Sequence, residues 1–255
     1  MNALAISGVA AVLMLGGAFA GILLRRHLPQ HHLNDHSKDV VRLGSALVAT
    51  ITALVLGLLI TSAKNTYDAQ RQEIRQIAEK LVLLDNQLKR YGPEARHARD
   101  LQRQAIPALV RRIWGQRAVQ SPTGAPYQPG TEGDMVFAAI EALAPQTDVQ
   151  RNLKIRALDT TSAITETRVL LFEEADAGLP TALLVVVIFW LTMLFAGFTL
   201  FSPINATSAT VLAIIALSAS GAIFLILELN HPFSGLMQIS SAPIRDALGV
   251  LGPGP

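Results

Sequence analysis

The sequence predicts an all-α integral membrane protein with four transmembrane helices, two N-terminal and two C-terminal, and an intervening helical soluble domain. Three observations lead there. Four stretches are nearly free of charge: Ala3–Leu24, Val40–Ile60, Leu179–Phe201 and Ala206–Leu229. Each holds about 20 residues, enough as a helix to cross a hydrocarbon core of about 30 Å. Apolar residues make up 51% of the 255-residue chain against 16% charged, with a mean hydropathy of +0.39, too little charge to coat a soluble protein of this size. Finally, the apolar stretches do not alternate with polar residues as barrel strands do, and a backbone in lipid must bond to itself.

The predicted layout follows the chain. Residues 1–62 carry spans one and two (about 3–24 and 40–62), and 63–178 form the soluble domain with a linker at 115–133. Residues 179–229 carry spans three and four (about 179–201 and 206–229), and 230–255 are a C-terminal tail. Ala18-Phe19-Ala20 has the form of a signal-peptide cleavage site. However, Met1–Ala10 has no Lys or Arg and the apolar run continues to Leu24, so a retained anchor is expected. Gly17-x-x-x-Gly21 permits close helix packing, within the chain or between copies. The connector Arg25–Asp39 carries His27, His31, His32 and His36, but no carboxylate pattern accompanies them, so a solvated headgroup loop is expected rather than a metal site.

Lys64–Tyr91 reads as a helix continuing out of the second span. Ile74, Ile77, Leu81, Leu84, Leu88 and Tyr91 follow alternating steps of three and four, the stripe by which one helix packs on another. That seam serves either the domain's own core or an oligomer. Gly92-Pro93 ends the helix, and Glu94–Trp114 resumes one through Leu101, Ala105, Leu109 and Ile113. A short helix is predicted over Met135–Leu143. Thr147 and Gln150 have capping-box spacing for a long helix to about Ala177, with Val149, Leu153, Ile164 and Leu171 on its apolar face. The acidic Glu173-Glu174-Asp176 reads as a solvated face.

A net charge of +2, interleaved by sign, gives no footprint for nucleic acid. The absence of cysteine excludes disulfides and cysteine-held zinc. No nucleotide loop, nucleophile elbow or His-Glu-x-x-His occurs, so neither an enzyme nor a cofactor or metal is expected. Arg25, Arg26, Lys38 and Arg42 on one side balance Lys64, Arg71, Arg75, Lys80, Arg168 and Arg245 on the other, so charge alone does not orient the chain. Four spans do place both termini on the side of the soluble domain.

Two segments stand out. Thr50, Leu54 and Leu58 sit four apart in the second span. Each step drifts by only about 40°, so copies of this helix around an axis would stack them as rings. On spacing alone, ordinary lipid or core packing accounts for them as well. Glu228-Leu229-Asn230-His231-Pro232-Phe233 places an acid where the last span leaves the membrane, a position of modest cost.

These segments also carry a family resemblance. Val55-Leu56-Gly57-Leu58, followed by Ser62–Asp68 and Arg71, resembles the bestrophin stretch that runs into an Ala-Tyr-Asp-Arg-like sequence, here with Tyr67 and Asp68. Glu228, Pro232, Phe233 and Gly235 resemble the segment after the last bestrophin span. Over most of its length the chain is similar to the bacterial bestrophin-like membrane proteins, which are distantly similar to bestrophin anion channels. The resemblance implies a homo-oligomer, a pentamer, in the bacterial inner membrane, with lipid and inorganic anions as partners. It puts Thr50, Leu54 and Leu58 in an apolar pore neck, and the soluble domain and both termini in the cytoplasm. The departures are specific. Ile51 replaces a proline beside the first neck residue, and leucines replace aromatic neck residues. Ser234-Gly235-Leu236-Met237 stands where animal bestrophins bind calcium, so no calcium clasp is expected. The alternative is a non-conducting membrane scaffold or sensor that binds a partner through its soluble domain, at the Ile74–Tyr91 seam or the linker.

Overall fold

The computed structural model describes residues 2–28, 35–115, 131–176, 181–201 and 205–251, with no strand among them. His31 and His32, the side chain of His36, the linker over 116–130 and the side chains of Glu173, Glu174 and Asp176 lie outside the described residues. The chain forms two compact units, each assembled from separated segments: Met1–Asn65 with Leu179–Asn230, and Thr66–Gly178 with His231–Pro255.

The first unit is the membrane part of a multi-pass protein. It holds α1 (Ala3–His27), the first part of α2 (Asp35–Tyr91), α6 (Thr181–Phe201) and α7 (Ala206–Leu229), the four helices long and apolar enough to cross a bilayer. In lipid, apolar surface gives helices little reason to associate, so small residues and hydrogen bonds decide which faces meet. Here α1 packs on α6 and α7. A Cβ on Gly17 would stand 2.5 Å from the Thr192 carbonyl oxygen, and one on Gly21 would collide with the Ala196 carbonyl and the Thr199 hydroxyl. The Thr199 hydroxyl donates to the Ala18 carbonyl at 2.7 Å, and the Ser220 hydroxyl to that of Ser7 at 2.7 Å. The Gly-x-x-x-Gly pair therefore serves packing inside the chain. Asn205 caps α7, its side-chain oxygen accepting from the Ser208 backbone N–H at 2.8 Å.

The second unit is helical and soluble in character. From Thr66, α2 continues to Tyr91 in one helix of 57 residues, more than twice what a bilayer needs. Gly92 follows at φ 127°, a conformation other residues adopt only with strain, and a 3₁₀ turn at Pro93–Ala95 leads into α3 (Arg96–Gly115). Then come α4 (Thr131–Glu141), α5 (Asp148–Asp176) and α8 (Ala242–Val250). Ile74, Ile77, Leu81, Leu84, Leu88 and Tyr91 are all buried in one core with Ile106, Ile113, Ile140 and Leu171. The seam thus packs on the domain's own helices.

Charged side chains lock this core. Asp85 accepts two hydrogen bonds from Arg99, at 2.7 and 3.1 Å, with both side chains nearly buried. That hydrogen bond, more than the charge itself, raises the Arg99 pKa above its ordinary value. Lys80 donates to the Thr167 hydroxyl and the Ala163 carbonyl, and Lys154 to the Glu141 and Leu143 carbonyls at the end of α4. Thr160, Thr161, Thr165 and Thr167 donate to carbonyls one turn back, which satisfies hydroxyls on a helix that packs closely.

Three readings need correction. Val149 is 69% exposed and lies off the apolar face of α5, in the helix's first turn. The capping box is only half formed: the Gln150 N–H donates to the Thr147 hydroxyl, but the Gln150 side-chain oxygen accepts from Gln146 rather than from Thr147. Finally, the C-terminal tail packs into the second unit. Phe233, Ile239, Ile244, Ala247 and Leu251 belong to the soluble core, and Arg103 donates to the Leu251 carbonyl at 2.7 Å.

Candidate functional site

Thr50, Leu54 and Leu58 are exposed on the single chain, at 66% for Leu54 and 62% for Leu58. They continue a strip begun by Leu43 and Leu47, which are exposed as well. Only 11% of the apolar window of α2 is buried, against 28–33% in the other three membrane helices. This helix therefore leaves the most apolar surface to be covered by lipid or by other chains. Thr50 donates its hydroxyl proton to the Ala46 carbonyl at 2.9 Å, so it presents a methyl group and lone pairs rather than a donor. Leu54 and Leu58 add only hydrocarbon. The strip can exclude water but cannot coordinate an ion in this conformation. Gly57 is exposed too, and a Cβ there would meet nothing within 4 Å, so no contact inside the chain requires the glycine.

The remaining motif residues fall in different places. Tyr67 packs half-buried on the soluble core, while Asp68 and Arg71 are exposed at the start of the soluble part of α2. Glu228 is buried, 8% exposed, in the last turn of α7. Pro232 and Phe233 are buried in the second unit, where they build a closed turn. The Ile239 N–H donates to the Pro232 carbonyl at 2.7 Å, and Gly235 takes φ 92° at the bend. Trp114, from the end of α3, donates its indole N–H to the Ile239 carbonyl at 2.8 Å and packs edge-on to Phe233, with ring centroids 5.7 Å apart. The structure so brings Pro232 and Phe233 together with Trp114, a residue that sequence reading passed over as the end of a helical pattern. Its isolation as one of only two tryptophans was the available signal. The core contacts of Asp85, Lys80 and Gln102 are not legible in the sequence, since a polar residue beside an apolar seam reads as the solvated face. Among the described residues no cluster of His, Asp or Glu could hold a metal ion.

Four membrane helices in two pairs, a helical domain between them and an exit segment stapled by Trp114 define a class of all-α multi-pass membrane proteins. The model of the Bestrophin-like domain matches residues 12–244. The chain belongs to the Bestrophin-like family. Among solved structures it is similar to a variant of a bacterial bestrophin homologue from Klebsiella pneumoniae, with a TM-score of 0.68 and 14% identity over 96% of this chain and 97% of that one. A second variant of that homologue gives 0.64 at 15% identity over 95% and 96%, and a structure described as a membrane protein gives 0.66 at 15% over 95% and 97%. At such identities the likeness is one of fold. No curated protein matches the sequence.

Proposed function

We propose that the protein is a homo-oligomeric ion channel of the bacterial inner membrane, a pentamer whose second membrane helices line an apolar neck at Thr50, Leu54 and Leu58. The carrying observation is the second helix itself, the least buried of the four in a single chain and exposed along that strip. Family membership supports the reading, because an exposed face shared by identical copies closes into a ring under cyclic symmetry. The neck favours large anions that shed water easily and gates by dewetting. With the Thr50 proton engaged by Ala46, the neck holds an anion only briefly, which suits conduction better than binding. In this reading the soluble unit and both termini are cytoplasmic, and lipid covers the outer faces of the other spans.

Purified protein reconstituted in liposomes should pass chloride in preference to potassium. Flux no greater than that of empty vesicles, from an intact oligomer, would overturn the channel. The scaffold reading loses its main surface, because the Ile74–Tyr91 seam is buried in the domain's own core.

A further inference from the structure

Within the membrane unit, α1, α2 and α6 leave a groove of ≈ 460 Å³ between them. It follows Ala20–Leu24 of α1, Val41–Val48 of α2 and Met193–Leu200 of α6, at the end of the unit where the chain leaves α1 and enters α2. Every lining residue is apolar or glycine except Ser45. Small residues shape it. A Cβ on Gly197 would stand 3.3 Å from the Ser45 Oγ, so α2 comes near α6 there, whereas one on Gly44 would meet nothing within 4 Å. Exposed Leu24 and Met193 flank the open side. An apolar space at membrane depth holds no water, so lipid hydrocarbon or another chain must fill it. Counted around α2, Val41, Ser45 and Val48 are turned by roughly 150° from the strip of Leu43, Leu47, Thr50, Leu54 and Leu58. Copies that meet along the strip therefore leave this face to lipid.

We propose that this groove seats the two acyl chains of an anionic phospholipid, with its phosphate held by Arg25 and Arg42. At about 30 Å³ for each water-sized group, the space holds roughly 15 methylene groups. Val41 to Val48 rises about 10 Å along α2, and an extended chain advances about 1.2 Å per atom, so one chain would place only about nine groups there. Two chains side by side fill the volume. Arg25 directly follows Leu24, and Arg42 directly follows Val41, so both stand where the apolar lining stops. Arg25 is half-buried and Arg42 exposed, and among the described residues neither takes part in a salt bridge. Asp39 falls on the opposite face of α2 from the lining, turned by roughly 150°. Guanidinium groups take phosphate through paired, charge-assisted hydrogen bonds. A glycerol headgroup leaves that phosphate charge uncompensated, whereas choline offsets it. The site does not depend on conduction, so it stands or falls separately from the channel.

Trp190 lies one helical turn from Met193 and Leu194 on α6 and serves as the reporter, while Trp114 belongs to the soluble unit. The full chain, reconstituted in phosphatidylcholine vesicles, is titrated with brominated phosphatidylglycerol or with brominated phosphatidylcholine, whose bromines quench a nearby indole. Half-maximal quenching should need at least about fivefold less of the anionic lipid, and that quenching should saturate at a low mole fraction. Gly44→Leu, which fills the groove where a side chain meets no neighbour, should remove the preference. Arg25→Gln combined with Arg42→Gln should remove it from the headgroup side. Because a variant can also fail to fold, the unmodified chain decides by itself. Equal quenching by the two lipids, or a preference that rises without saturating, would overturn the proposal, the latter being attraction to the basic surface in general. A preference that survives Gly44→Leu in a folded oligomer would overturn it too. Loss of the oligomer on Gly44→Leu would place a second copy in the groove instead.

Discussion

The Asp85 carboxylate meets the Arg99 guanidinium through two hydrogen bonds where both side chains are nearly excluded from water. Removing the acid alone strands a buried cation, so Asp85→Ala should destabilise the soluble unit by about 3–5 kcal/mol, read as a lower midpoint of thermal unfolding in detergent. Adding Arg99→Leu should recover much of that loss, because the stranded charge goes with it; failure to recover would mean that the pair acts through packing instead. Leu54 poses the opposite kind of question. It is exposed on the single chain, so Leu54→Ala should leave folding intact. In a neck it would widen a hydrocarbon ring and raise anion flux severalfold, since dewetting weakens as the constriction widens. Unchanged flux from a properly assembled variant counts against a neck at this position.

Among the elements, α1 depends most on two small residues. Gly17 and Gly21 let it approach α6 closely enough for the Thr199 hydroxyl to reach the Ala18 carbonyl. Gly17→Leu should push α1 away from α6 and cost about 1–3 kcal/mol or more, detectable as a lower midpoint and faster proteolysis of α1. Gly8 and Gly16 on the same helix meet nothing within 4 Å of a Cβ, so Gly16→Ala is the matched control and should be near neutral. Helix ends follow the same logic of local satisfaction. Gln150 donates to the Tyr91 carbonyl where α2 stops, and Lys154 covers the end of α4, so each terminus is met by a side chain from α5.

For the whole molecule, two units are woven from a chain that passes between them more than once, so neither is a contiguous stretch of sequence. The last span is followed by residues that complete the core begun by α2 and α3, with Phe233 against Trp114 and Arg103 on the Leu251 carbonyl. Light scattering with detergent correction should give a protein mass of five times the 27.3 kDa chain. A monomer or dimer in gentle detergent would remove the ring on which the neck depends.

The sequence by itself determined the four spans, the helical domain between them and the seam of Ile74–Tyr91, because apolar length and helical period are properties of local order along the chain. It also marked Glu228–Phe233 as diagnostic, as a pattern of residue types. It left open what the seam and the Gly-x-x-x-Gly pair pack against, since the same faces suit a partner or the chain's own helices. Only the tertiary structure decided that both turn inward, that Val149 falls outside the core, and that residues 231–251 join the soluble unit. The reason is physical: which surfaces meet, and which buried polar atoms find partners, depends on segments far apart in sequence, as with Trp114 and Ile239 or Gln102 and the Leu81 carbonyl.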